Sequence, residues 1–135
     1  MDDMATLRPP EHVRRRVDFE HAYEGGAKVS GRYMTMFVAA NRVGVARLGI
    51  AATRRLGGAV IRNRAKRLTR ELFRHQKPAA SLDVIVVPRR EFLDAPYPSL
   101  EREFGALLER SARTPPGSHG RRPARAGGAR RGSRV

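Results

Sequence analysis

Residues 59–75, AVIRNRAKRLTRELFRH, decide the fold because they predict a helix with two different faces. Ile61, Ala65, Leu68 and Leu72 recur every three or four residues, so at about 100° per residue they occupy one narrow stripe. The other side is polar and basic, with Arg62, Asn63, Lys66, Arg67, Arg70 and Arg74. We therefore expect the stripe to pack on a core and the opposite side to form a basic wall.

The residues on either side of this helix predict strands. Gly57-Gly58 break the chain before the helix, and residues 46–53 before them are typical of a strand. Lys77-Pro78 end the helix. Residues 84–87 then form a continuous apolar run, of the kind found in strands that are buried on both faces.

The N-terminal part predicts a short helix and a strand. Asp18 is a candidate N-cap for a helix that runs to about Glu24 and ends at Gly25-Gly26. Residues 28–40 are rich in side chains that favour strands, and residues 41–44 resemble a turn.

A last amphipathic helix is predicted after Pro96, with apolar positions at Leu100, Phe104, Leu107 and Leu108. The order helix, strands, helix, strand, helix predicts an α+β or α/β sandwich. Three phenylalanines are expected to pack in the core or to cover it: Phe73, Phe92 and Phe104.

Charge dominates the composition. Lys and Arg number 28 against 13 Asp and Glu, and the net charge of +15 favours a polyanionic partner, nucleic acid first and an anionic membrane surface second. The chain has no Cys, which excludes a disulfide framework, a thiolate zinc site and a cysteine nucleophile. No apolar run approaches the roughly 20 residues of a membrane span, and the N-terminus lacks a signal-peptide pattern, so we expect a cytoplasmic protein.

The composition changes near residue 112. Residues 1–112 are expected to form one domain. Residues 113–135 contain seven Arg and no acidic residue, with much Gly, Pro and Ala, and we expect them to be a disordered basic tail. Nonspecific affinity for RNA is the function that we expect of this tail.

The candidate RNA-binding residues lie in and just before the long helix: Arg54, Arg55, Arg62, Asn63, Arg64, Lys66, Arg67 and Arg70. Arginines on a rigid helix contact phosphates at a low cost in side-chain entropy, and guanidinium groups suit bidentate contacts. The exposed N–H groups at the helix start also favour an anion. A merely solvated basic face is the alternative, but Glu71 alone interrupts the run of cations, which favours binding.

Several motifs in this region resemble one known family. Arg62-Asn63-Arg64, followed by Lys66-Arg67-Leu68 and Arg70-Glu71, resembles the hallmark helix of the bacterial ribonuclease P protein family. Residues 49–57, GIAATRRLG, resemble the strand and loop that lead into it. The family usually has a serine and two lysines where this chain has Thr53-Arg54-Arg55, so the charge is kept.

The resemblance covers residues 7–110 and includes Asp18-Phe19 and Gly26, which fit the family's first helix and its end. It implies an α/β sandwich of three helices on a four-stranded sheet, with an unusual left-handed βαβ crossover. It also implies that the hallmark helix faces the RNA subunit. A cleft between the first helix and the sheet would hold the single-stranded 5′ leader of precursor tRNA, and the matching positions are Phe19, Tyr23 and Phe37.

The same resemblance implies a function. The protein would be the subunit of an endoribonuclease that removes the 5′ leader from precursor tRNA, with the RNA subunit as the catalyst. Mg²⁺ would be held mainly by that RNA, and the protein would have no catalytic residue of its own. The implied partners are ribonuclease P RNA and precursor tRNA, with no membrane partner and one protein monomer in each ribonucleoprotein.

The three aromatic residues also have an interpretation that needs no family. Phe19 and Tyr23 share a helical face and Phe37 lies in the middle of a predicted strand. Aromatic rings beside positive charge bind flexible single strands by stacking. The alternative is that all three fill the core; with the resemblance, a half-exposed cleft is favoured.

Four other functions are possible for a small basic chain. A ribosomal protein is the closest rival, and it would need no leader cleft. A helix-turn-helix DNA-binding protein would need a helix shortly before the basic one, where a strand and a glycine loop are predicted. A free-standing nuclease would need a carboxylate cluster, and Glu101 and Glu103 fall on different faces of a helix. Membrane-surface binding would explain the tail but not Asn63.

Overall fold

The computed structural model describes residues 9–117. Its main elements follow in chain order: helix α1 (Arg16–Gly25), strands β1 (Ala27–Ser30), β2 (Met34–Ala40) and β3 (Arg47–Ile50), helix α2 (Ala59–Gln76), strand β4 (Leu82–Pro88) and helix α3 (Tyr97–Ala112). Short 3-10 helices at Pro9–Glu11 and Arg90–Asp94 precede α1 and α3. None of the helices in this part of the chain combines the length and the apolar character that a membrane span requires.

The four strands form one mixed sheet in the order β1-β2-β4-β3. Strand β2 pairs antiparallel with both β1 and β4, whereas β3 pairs parallel with β4. Parallel neighbours need a crossover connection, and α2 provides it. Three helices and a four-stranded sheet confirm the predicted α+β sandwich, while the left-handed sense of the crossover stays a prediction.

The two central strands separate two hydrophobic cores. Val38 and Val84 pack with side chains of α2 and α3 on one face of the sheet. Phe37 and Ile85, their neighbours in sequence, pack with α1 on the other face. Since successive side chains of a strand point to opposite faces, β4 is buried on both, as its apolar run predicts. The three phenylalanines expected to pack are fully buried: Phe73, Phe92 and Phe104.

Residues 28–40 form two strands rather than the one predicted. The chain turns between β1 and β2, and the Glu103 carboxylate of α3 accepts hydrogen bonds there from the N–H groups of Arg32, Tyr33 and Met34, at 2.8 to 2.9 Å. A Cβ on Gly31 would lie 2.3 Å from Glu103 Cδ, so a larger residue at position 31 would force the carboxylate to move. The acceptor is 70 residues away from Tyr33, which no local sequence pattern can reveal.

Asp18 is not the N-cap of α1, so that prediction is wrong. Helix α1 begins at Arg16, and Arg15 before it makes no side-chain capping bond. The Asp18 carboxylate instead lies 3.6 Å from the Arg47 guanidinium of β3. A tertiary ion pair has therefore replaced the local cap.

Strand β3 ends before the predicted limit at Thr53. The Ala51 N–H still donates to the Val86 carbonyl oxygen at 2.9 Å, but the chain then turns, with the Leu56 N–H donating to the Thr53 carbonyl oxygen at 3.0 Å. The turn leads into α2, whose observed bounds agree with the predicted helix to within one residue at its end.

The buried stripe of α2 differs from the prediction at its start. Ala65 and Leu72 are fully buried, but Ile61 in the first turn is 38% exposed. Thr69 and Phe73 complete the stripe instead. A buried threonine is tolerated here because its hydroxyl donates to the Ala65 carbonyl oxygen at 2.8 Å, inside the helix.

The predicted tail begins within the described residues. The Arg113 N–H donates to the Arg110 carbonyl oxygen at 3.0 Å, and the Gly117 N–H donates to the Gly26 carbonyl oxygen at 2.9 Å. Residues 118–135 of the tail and residues 1–8 of the predicted domain lie outside the described part of the chain. The domain limits and the disorder of the tail therefore stay predictions.

We predict that Glu103→Gln lowers the free energy of unfolding by about 1–3 kcal/mol, because the amide loses the charge and one of the two acceptors that serve the β1–β2 turn. Urea unfolding measures the change. Glu109→Gln, an exposed change on the same helix, is the matched control. Equal midpoints for the two variants would contradict the role given to Glu103.

Candidate nucleic-acid interface

The predicted basic wall is a real surface of α2. Its cations occupy the helix sides that face away from the buried Ala65 and Leu72. Of its residues, Asn63, Arg67 and Arg70 are exposed and Arg62 and Lys66 are partly buried, and the exposed Arg64 adjoins them. Within residues 9–117, no carboxylate forms an ion pair with any of these cations, so their charge is available to a partner.

The C-terminal part of the helix is different. Arg74 donates to the Glu71 carboxylate at 3.0 Å, and His75 Nε2 lies 3.8 Å from the same group. The only acid of this helix therefore offsets the charge near its end. The uncompensated charge is concentrated in the first half of α2.

The start of α2 adds a second feature that suits anions. Gly58 occupies the N-cap position without a side-chain capping bond, so first-turn N–H groups lack a side-chain acceptor there. Gly57 has a φ of +150°, and a Cβ there would lie 2.8 Å from Ile61 Cγ2. The exposed Ile61 thus supports the loop that precedes the helix.

Arg54 and Arg55 lie in this loop and are exposed. The Gly57 N–H donates to the Arg54 carbonyl oxygen at 3.1 Å, which holds the loop as a turn. Both arginines follow β3, so they leave the sheet at the edge where the parallel strand β4 also ends.

Three arginines at this edge were missed in the sequence analysis. Arg89 and Arg90 follow β4 and are exposed, and Arg32 lies in the adjoining β1–β2 turn, with its guanidinium carbon 5.4 Å from the Tyr33 ring centroid. The Arg89 N–H donates to the Tyr33 carbonyl oxygen at 2.8 Å, which joins the two segments. An Arg pair directly after a buried strand was the available signal.

Helix α1 lies across the other face of the sheet and covers only part of it, and the uncovered part beside the helix is where the predicted cleft would lie. Its first half is tied to β3 through Asp18 and Arg47, and its end reaches β2, where a Cβ on Gly26 would lie 2.8 Å from the Val38 carbonyl oxygen. The cleft floor continues past α1 to the partly buried Thr35 and Val87, which are register partners on β2 and β4. The opposite rim is the end of the sheet at which β3 and β4 finish and the β1–β2 turn lies. We call it the arginine edge because it carries Arg32, Arg54, Arg55, Arg89 and Arg90.

The structure brings the three predicted cleft residues together. The ring centroids of Phe19 and Tyr23 are 6.3 Å apart, and those of Tyr23 and Phe37 are 5.0 Å apart in an edge arrangement. Only Phe19 is half-buried; Tyr23 is 8% exposed and Phe37 is fully buried. The expected half-exposed cleft therefore has one accessible ring, supported by two packed ones, and Lys28 lies 5.9 Å from the Phe37 centroid.

Glycine at position 49 lets Phe19 lie against the sheet. A Cβ there would be 2.9 Å from Phe19 Cζ and 2.7 Å from Ile85 Cδ1. Gly49 and Ile85 are register partners on β3 and β4, next to Phe37 on β2. The position of Phe19 in the cleft wall thus depends on the absence of a side chain at Gly49.

A charged network fixes the position of α1. Arg47 makes two hydrogen bonds of 2.7 Å to the carboxylate of Asp83, which also accepts one from Asn41 at 2.8 Å. The hydrogen bond to Asp83 raises the pKa of Arg47 above its ordinary value, although partial burial opposes the shift. Arg47 is therefore a permanent cation that holds Asp18, and with it the start of α1.

This surface offers cations, amide groups and one ring face to a ligand. Across residues 9–117, no three His, Asp or Glu side chains lie close enough to share a metal ion. Helix α2 follows a strand and a turn, so the helix-turn-helix alternative lacks its first helix. The geometry is that of a polyanion-binding surface next to a cleft.

Comparison with known proteins agrees with this geometry. The sequence profile of the Ribonuclease P family matches residues 7–112. The ribonuclease P protein component of Syntrophus aciditrophicus is 35% identical over 105 residues, covering 76% of this chain and 88% of that protein. That of Symbiobacterium thermophilum is 36% identical over 108 residues, covering 78% and 94%.

Solved structures show the same fold. The RNase P protein of Thermotoga maritima superposes with a TM-score of 0.66 at 32% identity, covering 74% of this chain and 96% of that one. The RNase P protein of Staphylococcus aureus gives a TM-score of 0.66 at 28% identity, with 74% and 94% covered. A match over most of the chain, in sequence and in fold, places the molecule: it belongs to the ribonuclease P family, as a protein component of that ribonuclease.

Proposed function

We propose that this chain helps ribonuclease P RNA to remove the 5′ leader from precursor tRNA by endonucleolytic cleavage. The observation that carries the proposal is the adjacency of two surfaces. The first surface consists of the α2 cations that have no carboxylate partner, together with the loop before the helix. This surface meets the sheet at the arginine edge. The arginine edge is also one rim of the aromatic cleft. One RNA could bind the helix while a single strand occupies the cleft.

In this proposal the basic wall of α2 binds the RNA subunit. The helix is packed through Ala65, Leu72 and Phe73, so its cations are displayed on a rigid support. Guanidinium groups on such a support make bidentate phosphate contacts with little further loss of side-chain entropy. Asn63, exposed between two arginines, would hydrogen-bond a base edge or a ribose.

The cleft would hold the leader. Phe19 offers a partly exposed ring for stacking, and Tyr23 and Phe37 fix its position from below. Arg54 and Arg89, across the cleft, would bind phosphates of the same strand. Stacking on aromatic rings tolerates any base, which suits leaders of varied sequence.

The proposed role of the protein is binding and charge screening. The hydrolytic chemistry would belong to the RNA subunit and to Mg²⁺ ions held mainly by it. We propose one protein monomer per ribonucleoprotein and a cytoplasmic location. No step of the reaction is assigned to a side chain of this protein.

We predict that the triple change R62Q R64Q R67Q weakens holoenzyme assembly roughly tenfold at moderate salt, because three phosphate contacts are lost. Each lost contact also reduces the slope of log affinity against log salt concentration by about 0.9. The slope should fall by about 2–3, and cleavage should require more Mg²⁺. Filter binding at several KCl concentrations and cleavage during a Mg²⁺ titration provide the measurements.

The triple change R14Q R42Q R102Q is the matched control, since it removes the same charge from exposed positions outside the interface. If the two variants assemble equally well, net charge alone governs binding. The assignment of the α2 wall would then be wrong.

We predict that Phe19→Ala reduces the preference for precursor over mature tRNA. Loss of one stacked base costs about 1–3 kcal/mol, or roughly 5- to 150-fold in affinity. Holoenzyme affinities for the two RNAs give the preference directly, and Phe19→Leu, which keeps an apolar side chain over Gly49, separates stacking from packing. An equal loss of affinity for both RNAs would indicate a folding defect instead of a leader contact.

The first experiment is cleavage of a precursor tRNA by bacterial ribonuclease P RNA at low Mg²⁺, with and without the protein. Strong stimulation, and no cleavage by the protein alone, is the expected result. RNA binding without stimulation would favour a general RNA-binding protein, and cleavage by the protein alone would overturn the proposal.

A further inference from the structure

Val60 is the most exposed large apolar residue in the part of the chain that the structure describes. Its side chain is 81% exposed, against 52% for Val17 and 48% for Val43. It is the second residue of α2 and is not among the residues that pack this helix on the core. The fold alone would favour a polar or acidic residue there, because the N–H groups at a helix start attract negative charge.

Val60 shares one side of α2 with exposed polar and cationic residues. At about 100° per residue, Asn63, Arg64 and Arg67 lie within about 60° of Val60 around the helix axis. All four residues are exposed, whereas the fully buried Thr69 lies on the opposite side of the helix. The valine is therefore an apolar member of a surface that is otherwise polar and basic.

The loop side of Val60 is open to a partner. A Cβ on Gly58 would meet no atom within 4 Å, and the φ of −73° at this position suits any residue. Neither packing nor backbone conformation therefore requires glycine at position 58. Because no side chain stands there, a flat group can approach Val60 from the loop that precedes the helix.

The charge around Val60 favours RNA over an apolar protein surface as the partner. Within residues 9–117 no ion pair compensates Arg64 or Arg67, the neighbours of Val60 on this side of the helix. An apolar protein surface would remove water from these cations without supplying a counter-charge. Unpaired nucleotides supply both chemistries, since their phosphates are anionic and their bases expose a flat face.

We propose that Val60 packs against the face of an unpaired base in the RNA subunit, between phosphates that the arginines beside it bind. The inference rests on the proposed binding of this RNA by α2, and it adds a contact that does not depend on charge. Phosphate contacts carry no sequence information, whereas a base contact requires an unpaired nucleotide at a defined place. The valine therefore helps the protein to select ribonuclease P RNA among RNAs of similar charge.

The test separates an apolar contact from an ionic one by its salt dependence. Val60→Ala removes two methyl groups, and Val60→Thr keeps the size and the β-branch but replaces one methyl group by a hydroxyl. We expect the affinity of the full chain for ribonuclease P RNA to fall roughly tenfold for Val60→Ala and roughly fivefold for Val60→Thr. The slope of log affinity against log salt concentration should stay unchanged, because no phosphate contact is lost. Filter binding at several KCl concentrations measures both quantities.

Val17→Ala is the matched control, because Val17 is an exposed valine at the second position of α1. The same change at the same helical position alters helix propensity equally, and we expect it to leave the affinity unchanged. The proposal is overturned if the Val60 variants bind like the unmodified chain, if Val17→Ala loses as much affinity, or if the salt slope falls by about 0.9 or more. A lower urea midpoint for both Val60 variants would assign the loss to folding and would also overturn it.

An RNA duplex without unpaired nucleotides separates this proposal from the proposed function. Val60→Thr should bind the duplex as tightly as the unmodified chain does, because only the phosphate contacts operate there. An equal loss for the duplex and for ribonuclease P RNA would overturn the base contact. If the unmodified chain itself shows no preference for ribonuclease P RNA, the proposed function fails. The two failures are therefore distinguishable.

Chemical probing of the RNA locates the contact. Acylation of 2′-hydroxyl groups reports flexible nucleotides, so a base held against Val60 should lose reactivity when the protein binds. At saturating protein, at least one unpaired nucleotide should be protected by the unmodified chain and by Val17→Ala and should react again with Val60→Thr. Identical reactivity with all three proteins would overturn the assignment.

Discussion

The cleft depends on the ion pair between Arg47 and Asp83. It joins the parallel strands β3 and β4 through two hydrogen bonds of 2.7 Å, and the same guanidinium reaches Asp18 at the start of α1. Asp83 is buried and Arg47 is partly buried, so the loss of Arg47 would leave the Asp83 carboxylate without its main partner. Phe19 follows Asp18 and lies over Gly49, so the pair sets both the height of α1 and the position of the accessible ring.

The positive charge of α2 is less compensated at its N-terminal end than at its C-terminal end. Its one acid, Glu71, contacts Arg74 near the C-terminal end, and the cations of the first half have no carboxylate partner among residues 9–117. The helix dipole and the loop arginines act at the same N-terminal end. The field is therefore strongest where the helix meets the sheet edge, although the cations are spread along the whole helix. The same arrangement of cations therefore attracts a polyanion and orients it toward the N-terminal end of α2.

The periodicity of apolar residues predicted most of the helices and strands, because the residues of one buried face recur at fixed short spacings in the sequence. It gave the bounds of α2, the buried strand β4 and the last helix. It could not give the ion pair that draws Asp18 away from a capping role, or the Glu103 carboxylate that divides residues 28–40 into two strands, since both partners are distant in sequence.

The candidate site was predictable to a similar degree. The basic helix and the three aromatic residues were found from local patterns, but their exposure was not, because Phe37 is buried by the helix that crosses it. Arg89 and Arg90 were missed because their proximity to Arg54 arises only from the parallel pairing of β3 and β4. A residue's role at a shared sheet edge depends on topology, which one sequence does not display.

The contact of Glu103 with the β1–β2 turn has a consequence for biosynthesis. Three N–H groups of an early turn are satisfied by a side chain that the ribosome adds about 70 residues later. Contacts of such separation are slow to form, because a long loop must close before they contribute. The hairpin that carries one rim of the cleft therefore matures only when α3 has emerged. A chain truncated before α3 would leave these three N–H groups without the carboxylate that accepts their hydrogen bonds.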